Sequence, residues 1–138
     1  MGLILHASTV ALGGRGVLVL GASGRGKSAL ALELMALGAE LVADDRTQVT
    51  AQRGALIAAC PPAIAGRIEA RFVGLLAARP HPPVPLALAV DLDRTETERL
   101  PPWRDTRIAG VTLPLLHNVE DRYFPAAIRQ YLVHGRRD

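Results

Sequence analysis

The order of apolar and polar residues predicts strands at the start of the chain, followed by a helix. A β-prone stretch at residues 3–12 has apolar ends, glycine turn residues follow at 13–16, and an apolar run occupies residues 17–20. Runs bounded by turn residues are typical of strands, so we expect a hairpin that leads into a glycine-rich segment. Residues 27–37 are good helix formers with leucines on one face, and Gly38 is suited to end that helix.

The rest of the chain predicts further short strands and one more helix. The Pro-rich residues 79–85 indicate a loop, residues 95–107 are polar, and a helix begins at about Pro125 with apolar side chains on one side. The alternation at residues 67–71 suits a half-buried strand, and a short helix there stays open. The other predicted strands are residues 40–43, 47–50 paired with 56–59, 86–92 and 108–113.

One local motif points to phosphate chemistry. The run "GASGRGKS" has glycine, lysine and serine at the spacing G-x-x-x-x-G-K-S. In such a loop the backbone N–H groups face phosphate oxygens, the lysine bridges β- and γ-phosphates, and the serine binds Mg²⁺. The alternative is a glycine turn without a ligand, but the strand before the loop and the helix after it favour a phosphate loop. The expected nucleotide-binding residues are Gly21, Ala22, Ser23, Gly24, Arg25, Gly26, Lys27 and Ser28.

Adjacent carboxylates follow the phosphate loop. Asp44 and Asp45 come at the end of the strand predicted at residues 40–43, which should lie near the loop. Two neighbouring carboxylates can divide the work of holding Mg²⁺ and accepting a hydroxyl proton, although "DDR" alone is also typical of an acidic turn. Glu69 and Arg71 are an E-x-R pair on a predicted strand, and composition leaves a solvated face and a functional role equally open.

Composition and charge narrow the class of protein. The 138 residues are 49% hydrophobic, which suits one domain over residues 1–138 with a real core. A net charge of +3 with scattered basic residues argues against nucleic acid as a partner. No apolar run reaches the length of a membrane span and no secretion signal stands out, so we expect a cytoplasmic protein with no membrane partner. The single cysteine, Cys60, excludes an internal disulfide.

A resemblance sharpens the interpretation. The run "HASTVALGGRGVLVLGASGRGKSALALELMALGAELVADDRTQV" closely resembles the catalytic domain of the HPr kinase/phosphorylase family, which phosphorylates a serine of a bacterial phosphocarrier protein. "PPAIAGRIEARFVGL" is similar to that family's Glu-x-Arg-Gly-x-Gly signature, with Phe72 in place of a glycine. "TERLPP" and "GVTLPLL" resemble later segments. The chain looks like the compact form found in alphaproteobacteria.

The resemblance implies a fold and an activity. We expect an α/β fold, a single P-loop domain with a central mixed sheet of the HPr kinase and phosphoenolpyruvate carboxykinase type. The activity would be ATP-dependent, Mg²⁺-dependent serine phosphorylation of an HPr-like phosphocarrier. In the reverse reaction inorganic phosphate would attack the phosphoserine and release pyrophosphate. Self-association is also expected, as a hexamer by resemblance, with Tyr123, Phe124, Tyr131 and Leu132 supplying apolar surface.

The same resemblance implies a role for each candidate residue. Asp44 would accept the serine proton, and His6 would support the acidic cluster. Asp45 and Glu69 would help Ser28 place Mg²⁺, while Arg71 and Arg99 would stabilise phosphate charge. Two other functions stay open at this point. A small-molecule P-loop kinase would use the same loop, and an ATP-binding regulatory module would bind nucleotide without phosphotransfer.

Overall fold

The computed structural model describes residues 2–138, which form ten strands, two α-helices and one 3-10 turn at Pro62–Ile64. The helices are α1 (Lys27–Ala36) and α2 (Phe124–His134). The strands are β1 (Gly2–Leu12), β2 (Arg15–Leu20), β3 (Glu40–Ala43), β4 (Arg46–Gln52), β5 (Ala55–Ala59), β6 (Arg67–Ala70), β7 (Gly74–Ala77), β8 (Val84–Thr95), β9 (Arg104–Ile108) and β10 (Val111–Asn118).

Two long strands organise the sheet. The first half of β1 pairs antiparallel with β4 and its second half with β2, while β8 lies parallel to both β2 and β10. Strand β5 joins β4 to the start of β8, so β1, β4, β5, β8 and β2 close a ring of pairings. The architecture is α/β with a mixed central sheet, which confirms the predicted fold class.

Both faces of the central strands are covered. Successive side chains of a strand point to opposite faces. Val17 and Val19 therefore pack on the side of the helices, with Leu34 of α1 and Ile128 of α2, whereas Leu18 packs on the opposite side. Burial on both faces explains why β2 is a continuous apolar run rather than an alternating one. The carboxyl ends of β2 and β8 meet at one edge of the sheet, beside the glycine loop.

Several predicted elements are confirmed by the structure. The helix expected at residues 27–37 is α1, and Gly38 follows it with a left-handed φ of 107°. The terminal helix and the hairpin into the glycine loop are present as α2 and as β1 with β2. At residues 67–71 the strand interpretation is correct, because β6 occupies Arg67–Ala70.

Other expectations are wrong in detail. Residues 108–113 are not one strand, because Ala109 and Gly110 take positive φ values of 48° and 79° and turn β9 into β10. Strand β8 starts within the predicted loop, at Val84. Strand β7 was not predicted. Phe124 and Leu132 do not supply an apolar surface for self-association, since each is only 5% exposed and packs in the core.

Within residues 2–138, neither helix has the length and apolar character that crossing a membrane requires.

Candidate functional site

The glycine loop connects β2 to α1 and encloses a lysine. Gly24 and Gly26 have left-handed φ values of 83° and 98°, which glycine adopts without steric cost. The Lys27 side chain is only 5% exposed, and its Nζ donates to the carbonyl oxygens of Gly21 at 2.8 Å and Ala22 at 3.3 Å. The predicted order of strand, loop and helix is therefore present, with the ammonium group held inside the loop.

The acidic pair lies at a break between two strands. Strand β1 pairs with β3 at Thr9 and with β4 at His6 in one register, which sets Asp44 and Asp45 opposite the residues between them. Asp45 has a left-handed φ of 65°, a conformation that aspartate tolerates better than most residues. The break turns both carboxylates away from the sheet and toward the glycine loop.

Asp44 is anchored by three donors. The hydroxyl groups of Ser8 and Ser28 donate to its Oδ1 at 2.8 and 2.6 Å, and the backbone N–H of Glu69 donates to Oδ2 at 3.0 Å. Ser8 is fully buried and also accepts the backbone N–H of Asp45 at 3.1 Å. Asp44 thus joins β1, α1 and β6 at one point, in direct contact with the serine of the glycine loop.

Asp45 has a different environment. Its side chain is 54% exposed, and its Oδ1 lies 3.8 Å from Lys27 Nζ. Among residues 2–138, the salt-bridge partner of its carboxylate is this one ammonium group. One carboxylate of the pair is therefore bound to Ser28 and held in place, and the other faces Lys27 and the solvent.

The glycine loop forms one wall of a cavity, and a hairpin forms a second wall opposite it. The antiparallel pair β6 and β7 carries Glu69, Arg71 and Leu75, which line a cavity of about 690 Å³ together with the loop and the acidic pair. Arg71 reaches across this cavity, since a Cβ atom added to Gly24 would lie 4.0 Å from its Nη2. The structure therefore brings Glu69, Arg71, Asp44, Asp45 and the glycine loop together around one space.

Phe72 occupies the tip of this second wall. Its φ is 71°, a conformation that glycine adopts readily, and glycine is the residue that the family signature has at this position. Its side chain is 100% exposed. The backbone at Phe72 therefore has a conformation that suits the glycine of the signature, with an aromatic side chain projecting into solvent.

Two predicted site residues lie outside the cavity. His6 is exposed on the same face of β1 as Ser8, and no hydrogen bond joins it to the carboxylates among the described residues. Arg99 is exposed in the segment between β8 and β9 and does not line the cavity.

The segment that carries Arg99 is fastened at both ends. Arg104 binds Glu96 with two hydrogen bonds of 3.0 and 3.1 Å and lowers the pKa of that carboxyl group to about 2. Near the other end, the Arg136 guanidinium lies 4.2 Å from the centre of the Trp103 ring, a cation–π contact. The exposed Arg99 lies between these two anchors.

Sequence reasoning missed two polar residues beside the loop. Ser8 anchors Asp44, and its only sequence signal is a polar residue within the apolar run of β1. Asp93 accepts hydrogen bonds from the backbone N–H of Ala22 at 3.1 and 3.2 Å and lies 3.3 Å from Arg25 Nε. Its signal is its place after the apolar run of β8, because ligand sites of α/β sheets lie at the carboxyl ends of strands.

The oxygen ligands near the loop fit Mg²⁺. Ser28 offers a hydroxyl group and Asp44 a carboxylate that already touch each other, and Asp45 and Glu69 lie around the same cavity. Within residues 2–138, no group of three or more His, Cys, Asp or Glu side chains is arranged to hold a metal by itself. Mg²⁺ in kinase sites is usually held by one or two carboxylates plus substrate phosphates, so this set of oxygens suits it.

Comparison with known proteins identifies a family. The model of the HPr Serine kinase C-terminal domain matches residues 2–81, more than half of the chain. The HPr kinase/phosphorylase of Clostridium botulinum is 39% identical over 72 residues, and that of Bordetella petrii is 47% identical over 64 residues. These alignments cover 52% and 46% of this chain but only 24% and 21% of the relatives, so the chain matches about a quarter of their length.

The fold has a solved counterpart. The Hpr(Ser) kinase/phosphatase of Coxiella burnetii superposes with a TM-score of 0.76 over 93% of this chain and 92% of that chain, at 24% sequence identity. The likeness extends to strands and the helix beyond residue 81, where the family model ends. By the family model and the shared fold, the chain belongs to the HPr serine kinase C-terminal domain family.

Proposed function

We propose that this chain is an ATP-dependent serine kinase that acts on an HPr-like phosphocarrier protein in the cytoplasm. The observation that carries the proposal is the placement of two carboxylates against the two functional side chains of the glycine loop, Asp44 on Ser28 and Asp45 beside Lys27. Phosphoryl transfer requires a loop for the phosphates, a metal ligand next to the loop serine, and a group that takes the proton of the attacking hydroxyl. The relatives named above are HPr kinase/phosphorylases, which supplies the acceptor.

The contacts support a division of roles opposite to the one that the resemblance implies. Asp44 accepts three hydrogen bonds and touches the serine of the loop, which is the usual position of the acidic metal ligand in P-loop enzymes. Asp45 is half exposed and faces the cavity, so its carboxylate is free to approach a substrate hydroxyl. We therefore assign Asp44 with Ser28 to Mg²⁺ and Asp45 to the proton.

The other residues would act on charge and position. Mg²⁺, when bound, neutralises charge on the β- and γ-phosphates. Lys27, whose ammonium group has three donors and contacts two carbonyl oxygens of the loop, would also bind phosphate oxygens. Arg71 would stabilise charge on the transferred phosphoryl group from the opposite wall, and Glu69 would add a carboxylate near the metal. The assignments of Arg99 and His6 rest on the resemblance, and Arg99 would reach the cavity through movement of its segment.

In the forward reaction, one carboxylate is sufficient to accept the proton. The serine hydroxyl of the carrier attacks the γ-phosphorus, its proton passes to Asp45, and the bond to the β-phosphate oxygen breaks to release ADP. In the reverse reaction an oxygen of inorganic phosphate attacks the phosphorus of the phosphoserine, which forms pyrophosphate as the bond between phosphorus and the serine oxygen breaks. The same carboxylate, now protonated, gives its proton to the departing serine oxygen. A single in-line site serves both directions.

The test uses labelled ATP and the HPr-like protein of the same host, with mass spectrometry to locate phosphoserine. Asp45→Asn should lower turnover by roughly 10²–10⁴ in both directions while nucleotide binding persists, because asparagine cannot accept the proton. Asp44→Asn should lose activity that higher Mg²⁺ partly restores, because a metal contact is weakened.

The two variants also separate the alternatives. Full activity of Asp45→Asn together with loss in Asp44→Asn that Mg²⁺ does not rescue would restore the role that the resemblance gives to Asp44. A wild-type chain that binds ATP and phosphorylates no carrier would favour the regulatory module, and phosphorylation of a small molecule instead of the carrier would favour the small-molecule kinase.

Self-association as a hexamer belongs to the same proposal. It rests on the resemblance and not on the final helix, since Phe124 and Leu132 are buried within the chain. The exposed apolar side chains include Phe72 and Val73 at the tip of the second wall, which are 100% and 74% exposed, and Tyr123 next to the final helix, which is 59% exposed. Light scattering at tens of micromolar protein should report an assembly, and a monomer would contradict it.

A further inference from the structure

A bulge in β8 points an aspartate at the glycine loop. Strands β8 and β10 pair residue by residue up to Asp91 with His117, but the next pair joins Thr95 with Asn118. Residues 92–94 of β8 therefore stand opposite a single step of β10. Bulges bend a strand and redirect its side chains, and they are common beside active sites. Here the bulge falls at the carboxyl end of β8, next to the end of β2 where the glycine loop begins.

The bulge contacts the start of the loop with two of its residues. Leu92 packs so closely on Gly21 that a Cβ atom added there would lie 3.2 Å from the Cβ of Leu92. Both carboxylate oxygens of Asp93 accept the backbone N–H of Ala22, at 3.1 and 3.2 Å, and Oδ1 lies 3.3 Å from Arg25 Nε. Asp93 is itself fixed, because its N–H donates to Asp91 Oδ1 at 2.9 Å.

One peptide unit is consequently held from both sides. The N–H of the peptide that joins Gly21 to Ala22 donates to Asp93, and the carbonyl oxygen of the same peptide accepts from Lys27 Nζ at 2.8 Å. If this peptide rotated, Lys27 would lose its nearest acceptor within the loop. The carboxylate outside the loop and the ammonium inside it are thus linked through a single amide plane.

We propose that Asp93 is a positioning residue of the phosphate loop, which fixes the Gly21–Ala22 peptide and through it the place of the Lys27 ammonium group. The proposal rests on the proposed function for its nucleotide, and it deepens that function by naming what fixes the first peptide of the loop. Asp93 need not touch the nucleotide. It acts through the peptide that it binds, so the loop does not have to be ordered when phosphate arrives.

Electrostatics and positioning predict opposite changes in nucleotide affinity when the Asp93 carboxylate is removed. A carboxylate near a phosphate site repels the phosphates, so its removal strengthens binding if charge is all that it contributes. A carboxylate that holds the loop in place has the opposite effect, and its removal weakens binding. Because the side chains of Asp93 and Arg25 are 44% and 60% exposed, their ion pair contributes little, and the hydrogen bonds to the N–H of Ala22 are the main contribution.

The experiment compares Asp93→Ala with Asp93→Asn, which keeps an oxygen that can accept the N–H of Ala22. Asp105→Ala is the charge-matched control, because it removes an exposed carboxylate from β9, on a different edge of the sheet. The first measurement is amide hydrogen exchange of the nucleotide-free proteins over residues 21–26. Exchange should rise in Asp93→Ala and stay near the wild-type rate in Asp93→Asn and in Asp105→Ala.

The second measurement is calorimetric titration with MgATP. Asp93→Ala should bind roughly three- to tenfold more weakly than the wild type, and Asp93→Asn should stay within about threefold. Equal or tighter binding by Asp93→Ala, unchanged exchange in its loop, or an equal loss in Asp93→Asn would each overturn the proposal. A wild type that binds no MgATP would refute the proposed function, while the exchange measurement would still decide whether Asp93 holds the loop.

Discussion

The cavity has two walls that are built in different ways. The loop wall is the glycine loop at residues 21–28, and the hairpin wall is the second wall described above. In the loop wall, Lys27 is 5% exposed and donates two hydrogen bonds, and the residues with left-handed backbone are glycines. In the hairpin wall, formed by β6 and β7, all four residues of β7 are exposed, and the left-handed conformation falls on Phe72. The side chain of Lys27 in the loop wall is therefore held by contacts within the chain, whereas the side chains of β7 in the hairpin wall face the solvent.

The attachment of the hairpin wall explains the difference. A two-stranded hairpin is marginally stable alone, and this one is fastened to the body by few contacts. Ile68 is buried in the core, and the N–H of Glu69 donates to Asp44. Under the proposed function, the loop wall would supply preformed phosphate ligands, whereas the hairpin wall is positioned by its base and would leave Arg71 free to act on a substrate. We expect binding energy from the first wall and rate enhancement from the second.

In the comparison of the two walls, the largest expected effect belongs to the hairpin wall. Arg71→Ala should lower turnover by roughly 10²-fold, because it removes a cation placed to stabilise charge that develops during transfer. MgATP affinity should change by less than about threefold, since the loop wall remains intact. Steady-state kinetics with the carrier and calorimetry with MgATP measure the two quantities. A loss of affinity as large as the loss of turnover would show that the walls do not divide the work.

The counterpart of Arg71→Ala in the loop wall is Lys27→Ala, which tests nucleotide affinity. Lys27→Ala should weaken MgATP binding at least tenfold, about 1.4 kcal/mol or more, because Lys27 is the ammonium group placed for the β- and γ-phosphates. It is also the one lysine of the chain. Arg107→Ala is a suitable control, since it also removes one positive charge but from an exposed position on β9 that does not line the cavity. Equal affinities in wild type and Lys27→Ala would remove the phosphate-loop assignment.

The sequence predicts the loop wall far better than the hairpin wall. Gly21, Gly26, Lys27 and Ser28 belong to one local pattern whose spacing determines the geometry, and that geometry is present. Strand β7 was missed because its residues are apolar and yet exposed, so no alternation marks them. Its conformation depends on pairing with β6, which a local pattern does not encode.

Contacts between segments that are far apart in the sequence could not be predicted either. Ser8 and Asp44 are 36 positions apart, and Asp93 and Ala22 are 71 apart, so no spacing rule connects them. The bulge that delivers Asp93 arises from the register between β8 and β10 and leaves no turn residue in the sequence. The division of roles between Asp44 and Asp45 depends on which of them contacts Ser28, and adjacent aspartates look alike in a sequence.

The smallest expected effect concerns backbone strain at the tip of the hairpin wall. Phe72 has a φ of 71° and a fully exposed side chain, so Phe72→Gly relieves the left-handed conformation and loses no burial. That relief is about 1–2 kcal/mol, and the extra freedom of glycine in the unfolded chain offsets about 0.4–1 kcal/mol of it. The free energy of unfolding should therefore rise by up to about 1.6 kcal/mol. Val73→Gly is the matched control, because Val73 is also exposed but is not among the residues with positive φ, so this variant should destabilise the protein. Urea unfolding of the two variants measures the sign directly. A loss of stability in both would mean that the left-handed turn carries no strain and that the two walls differ in exposure alone.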